Sequence, residues 1–180
     1  MNKELGFVSP GQELKRAAEL MALSARTAPK SAGKDFVVIK IISGEEVNKL
    51  GEAMIEYGME KNKRNFDRDG ENVKNSSVIL LIGLKDSQTM GLDCGACGFD
   101  SCSECKTHGG LEFDGPQCAL RILDMGIAIG SAVKMASILG IDNRIMYRIG
   151  VAAKKYGFID ASFVMGIPFS TTGKNIYFDR

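Results

Sequence analysis

The five cysteines of this 180-residue chain, Cys94, Cys97, Cys102, Cys105 and Cys118, all fall inside one stretch, GLDCGACGFDSCSECKTHGGLEFDGPQC. Cysteines used only as small core residues would be scattered, so a cluster this tight implies thiolates gathered round a shared ligand. The run reads C-x2-C-x4-C-x2-C, followed by a more distant fifth cysteine. Structural zinc sites usually set two such knuckles about a dozen or more residues apart, so that they can fold towards each other. Iron–sulfur clusters are larger and take closely spaced thiolates with one remoter ligand. Cys94, Cys97, Cys102 and Cys118 fit that three-plus-one plan; the compact alternative replaces Cys118 by Cys105. Gly95 and Gly98 each follow a cysteine, where a missing Cβ permits positive φ and lets backbone N–H groups turn towards sulfur. A disulfide framework is disfavoured by the odd cysteine count and by an opening, MNKELGFVSPGQELKR, with no apolar export signal.

Little else in the composition competes with the cysteines. His108 is the single histidine, which excludes a histidine-rich metal site and a serine–histidine–aspartate triad away from the cluster. It stands three residues past Cys105, where C-x2-H could complete a zinc site, but a Gly-rich loop makes a surface histidine the simpler reading. Lys+Arg 23 against Asp+Glu 22 leaves a net charge of +1, without the basic excess that phosphate binding wants. Nucleic acid is therefore not an expected partner. Hydrophobic residues at 44% and charged residues at 25% describe an ordinary globular chain long enough for one full core. The most apolar stretch, 119–141, contains Arg121, Asp124 and Lys134, so it reads as a buried helix rather than a membrane span. A cytoplasmic, reducing location is expected.

The elements that must position the cysteines alternate. Residues 11–26 carry Leu14, Ala17, Ala18, Met21 and Ala22 at helical spacing and end before Pro29. FVVIKII (36–42) and VILLIG (78–83) are β-branched apolar runs, read as buried strands. A helix is expected over 45–61, a loop over 62–75, and the longest helix over 119–140, with Gly126, Gly130, Ala132 and Ala136 as small packing faces. Asp142 is expected to cap a further helix towards Tyr156, broken at Gly150, and FVMG (163–166) to form a third strand. Asp124 on its apolar helix needs a salt link if it faces inward. The class is α/β or α+β with one sheet, a single domain over 1–180 containing a cysteine-rich module at 90–118.

Several segments carry a resemblance. LMALSARTAPKSAGKDFVVIKI resembles the opening of nitroreductase-type flavoproteins, LDMGIAIGSAVKMASILGI their central helix, and FVMGIPFSTTGK their closing strand and turn. With CGACGFDSC added, the chain is similar over nearly its whole length to the small uncharacterised ferredoxin-domain proteins. That resemblance implies a nitroreductase-like three-layer fold with an iron–sulfur insertion. It implies a 4Fe-4S cluster held by Cys94, Cys97, Cys102 and Cys118, with Cys105 left over, and electron transfer with an unknown redox partner. It further implies a homodimer through the long helix, and flavin mononucleotide (FMN) beside Ser31 and Lys174. The chain lacks the arginines that precede the first helix in the flavoproteins and has Ser31-Ala32-Gly33 where they carry an asparagine, so weak flavin binding is expected. A zinc-stabilised, non-catalytic module is the reading outside redox chemistry.

Overall fold

A computed structural model of the protein describes residues 10–178, so the readings made on the opening segment, the absent arginines and the export signal, lie mostly outside the described residues and are not tested by it. Four strands form one antiparallel sheet in the order β1-β2-β4-β3: β1 Val37–Ser43, β2 Val78–Leu84, β3 Asp142–Asn143 and β4 Phe163–Ser170. All seven residues of β2 are buried because both faces of the sheet are covered. Period-two alternation sends Ile79 and Leu81 to one face and Val78, Leu80, Ile82 and Leu84 to the other. Helices α2 (Glu45–Glu60), α3 (Phe66–Lys74) and α5 (Tyr147–Lys155) cover the first face; α1 (Pro10–Thr27) and α4 (Ala119–Ile138) cover the second. The result is the expected three layers. Ala18 and Ala25 of α1 and Ala128, Ala132 and Ala136 of α4 are fully buried, so these two helices approach closely.

Three local readings differ from the structure. Residues 66–74 form α3 rather than loop, although FDRDGENVK is polar. Its docking face is only Phe66, Gly70 and Val73 with the buried Asp69, whose carboxylate accepts from Arg148 at 2.7 Å and Arg68 at 2.9 Å. Asp142 belongs to the two-residue β3, and the following helix starts only at Tyr147 and runs unbroken through Gly150. Finally β4 continues through Pro168 to Ser170. The neighbouring strand pairs at Asn143↔Phe169 and bridges again at Met146↔Gly166, so it leaves the ladder opposite Pro168, where no donor exists.

Gly126 and Gly130, expected as packing faces, instead look outward with open space round them. No helix is long and apolar enough to cross a membrane among the described residues.

Candidate metal centre

The cysteine segment leaves the sheet at the end of β2 and returns at the start of α4. Its throat is closed by Ser87 Oγ donating to Gln117 Oε1 at 2.7 Å. His108 and Gly115 exchange backbone hydrogen bonds at 2.9 Å, and Asp114 N–H donates to the Ser162 carbonyl at 2.9 Å. Phe113 packs edge-on against Tyr147 and tilted against Phe163. The Glu112 carboxylate accepts from Tyr57 at 3.1 Å and from Tyr147, and pairs with Lys63. Burial, followed by that acceptor and its charge, pushes the Tyr57 hydroxyl up to about 12. The return limb is thus fastened to the body by backbone and side-chain contacts together.

At the tip all five cysteines line one cleft, together with Met90, Asp93, Gly95, Phe99 and Ser101. Cys94 is exposed, Cys97 and Cys102 are half-buried, and Cys105 and Cys118 are 7% and 6% exposed. Gly95 and Gly98 adopt φ of +72° and +84°, as their places after cysteines predicted. Asp93 accepts the Cys102 N–H at 2.7 Å, which pins the second knuckle against the first. Among the described residues no three Cys, His, Asp or Glu side chains converge on one point as a lone metal ion would need. The sulfurs surround the cleft instead.

The donors aimed at sulfur come from a place that spacing could not reveal. Ala119, the first residue of α4, gives its N–H to Cys97 Sγ at 3.2 Å. Burial opposes charge on Cys118, but the amides of Met90, Arg121 and Leu120, and then the Cys97 thiol, hold it below the ordinary thiol value. Cys118 is the N-cap of α4 and makes no side-chain cap bond there. The influence of the Leu120 and Arg121 amides is that of the partial positive charge at a helix start. At Cys105 burial, and then Cys97, push the thiol up instead.

Behind Cys118 lies a buried ion pair. Arg121 Nη1 meets Asp124 Oδ2 at 3.0 Å, and both side chains are nearly inaccessible, which supplies the salt link an inward Asp124 required. Asp124 Oδ1 also accepts the Ser31 N–H at 2.8 Å and hydroxyl at 2.7 Å. Ser31, half-buried in a 3₁₀ turn at Ser31–Gly33, therefore has both its donors committed to Asp124. Lys174 lies in the tail after β4, a segment anchored by Tyr177, whose hydroxyl bonds with Ser76 at 2.9 Å. Lys30 donates to the carbonyls of Ala25, Arg26 and Ala28 and finishes α1. His108 is exposed, as its Gly-rich loop implied. Burial raises the Asp124 carboxyl, but Ser31 and Arg121 outweigh it and hold the group below its ordinary 3.8. A depressed carboxyl stabilises the fold above its unfolded value and loses that contribution as pH falls through the folded one. The stability gap between wild type and Asp124→Asn should accordingly stay constant near neutrality and shrink below about pH 3.8, as followed by urea unfolding at stepped pH.

A chain from Archaeoglobus fulgidus described as an uncharacterized protein is 55% identical over 169 residues, spanning 93% of this chain and 91% of its own. A family model described as an uncharacterized protein containing a ferredoxin domain matches residues 114–180. This chain belongs to that ferredoxin-domain family. The family match begins just before Cys118 and covers α4 to the end of the chain. Among solved structures, nitroreductase CinD from Lactococcus lactis in complex with nicotinic acid superposes with a TM-score of 0.63 at 11% identity, over 94% of this chain and 82% of that one. FMN-dependent nitroreductase NfnB from Mycobacterium smegmatis, in complex with NADPH, gives 0.61 at 11%, over 90% and 80%. A nitroreductase with bound FMN from Desulfitobacterium hafniense gives 0.56 at 14%, over 93% and 81%. At such identities the likeness is one of fold: the body is nitroreductase-like, and its cysteine segment enters between β2 and α4.

Proposed function

We propose that residues 90–118 form a metal-organised module on a single nitroreductase-like domain, holding one 4Fe-4S cluster through Cys94, Cys97, Cys102 and Cys118. The protein then passes single electrons to or from a redox partner. The observation that carries this reading is the start of α4, where the Ala119 N–H donates to Cys97 Sγ at 3.2 Å and Cys118 lines the same cleft. A donor set of thiols with backbone N–H groups directed at them suits an anionic thiolate-ligated cluster. Bound there, such a cluster would supply one-electron chemistry. The chain's own part is to hold the ligands' negative charge at a helix start and to leave Cys94 at the surface, where a partner can approach.

A flavin fits less well. Ser31 gives both its donors to Asp124, so no electron is routed through FMN here. Anaerobic purification followed by iron, sulfide, zinc and flavin analysis tests the reading: about four irons and four sulfides per chain are expected from a four-iron centre. Colourless protein with stoichiometric zinc would replace it by the zinc module. Submicromolar FMN binding by fluorescence quenching would bring the flavoenzyme reading forward.

For assembly we propose a second copy of the chain. The outward face of α4 presents Leu123 (56% exposed), Gly126, Ile127, Gly130 and Ile138 (69% exposed), and Leu20 and Leu23 of the adjoining α1 are also exposed. That apolar face, with glycines that admit close approach, suits a helix-to-helix contact. Light scattering should give twice the 19.4 kDa chain mass; the single mass in dilute solution would count against it.

A further inference from the structure

Arg121 has a position that neither its own charge nor the spacing of the cysteines explains. It is 1% exposed, and its guanidinium is shared among segments far apart in sequence. Nε donates to the Gln88 carbonyl at 3.0 Å, on the limb leading into the cysteine segment. Nη1 donates to the Ser31 carbonyl at 3.0 Å, weakly to the Lys34 carbonyl at 3.4 Å, and pairs with Asp124. The guanidinium carbon lies 4.7 Å over the Phe36 ring. Arg121 itself sits in the first turn of α4, directly after Cys118. One side chain therefore bonds the outgoing limb, while its backbone belongs to the returning one.

The geometry points to Arg121 as the positioning residue of the cysteine site: it clamps Gln88 to the turn that carries Cys118, and so holds the buried sulfurs in place whether or not metal is bound. Gln88 stands two residues before Met90, which lines the cysteine cleft beside Cys118. Releasing Gln88 would free Met90, and with it one wall of the cleft. Lysine cannot substitute, because one ammonium on a flexible stem cannot reproduce bonds in fixed fork directions. The Ser87–Gln117 bond closes the same throat but joins two neutral groups, without the charge that the guanidinium brings.

The inference concerns the cysteine site of the proposed function, but its test has an arm that needs no iron. The first readout is the reaction of the metal-free protein with a chromogenic thiol reagent, taken under conditions where circular dichroism shows wild type and variants folded. In Arg121→Lys the slow thiols, Cys105 and Cys118, should react about tenfold faster or more, the scale on which supporting residues affect a metal site. Asp124→Asn disturbs the same buried pair but leaves the carbonyl bonds of Arg121, and should keep the wild-type thiol rate. The second readout is iron loss from anaerobically prepared protein to a chelator, expected to accelerate in Arg121→Lys alone. Equal acceleration of the thiol reaction in both variants would reduce Arg121 to general stability and overturn the inference, as would a wild-type rate in Arg121→Lys. Iron-free wild-type protein with a fast-reacting Arg121→Lys would sink the cluster while leaving the clamp standing.

Discussion

Cys118→Ser is expected to strip the protein of iron while the body stays folded. Cys118 is the buried cysteine at the head of α4, in the cleft that all five cysteines line. Serine keeps the volume nearly unchanged but offers a hard, poorly acidic oxygen in place of a thiolate. Outer-shell changes alone cost about 10–100-fold in metal affinity, so loss of a ligand should lower iron content by more than about tenfold. Cys94→Ser, Cys97→Ser and Cys102→Ser are expected to behave alike, and Cys105→Ser to retain nearly all its iron. Iron assays on the five variants, purified without oxygen, decide the ligand set. Retention in Cys118→Ser with loss in Cys105→Ser would transfer the fourth ligand to Cys105.

Gly150→Ala should be the most damaging single methyl in the body. A Cβ at Gly150 would stand 1.8 Å from the Val164 carbonyl oxygen, in the backbone of β4. Relief requires α5 to lift from the sheet, yet Ile149, Val151, Ala152 and Ala153 beside it are fully buried. Overpacking of this kind costs up to about 3 kcal/mol, occasionally more, and each kcal/mol shifts Tm by about 2–4 °C in chains of this size, so a fall of roughly 6–12 °C is expected. Thermal melts followed by circular dichroism measure it. A shift under about 2 °C would mean that α5 slides freely on β4.

The parts of the fold that were legible are those whose signal is local. FVVIKII and VILLIG announce β1 and β2 by β-branched runs, and the long apolar segment announces α4. The cysteines announce their own site, and the glycines after them its backbone. What stayed hidden depends on neighbours distant along the chain. Helix α3 is short and polar because Arg148, 79 residues away, satisfies its buried Asp69. Gly150 looked like a helix breaker because nothing nearby shows the strand it must clear. Nothing near Ser31 in the sequence shows that its donors are taken, since its partner Asp124 lies 93 residues on. In the sequence Arg121 is only one of three charges that rule out a membrane span, and no periodicity shows that its side chain returns to Gln88.

The interrupted pairing opposite Pro168 bears on how the molecule behaves in a crowded solution. A sheet border with a long row of free donors and acceptors invites strands from other molecules, and natural borders are shortened or broken to prevent it. Here β3 is two residues long and parts from β4 where proline has no N–H, so this border offers an incoming strand little to bind. At the opposite border β1 carries Lys40 in its middle, a charge that an added strand would have to accommodate. Fibre-like growth through the sheet is thereby discouraged at both borders, and contact between molecules is left to surfaces built of side chains.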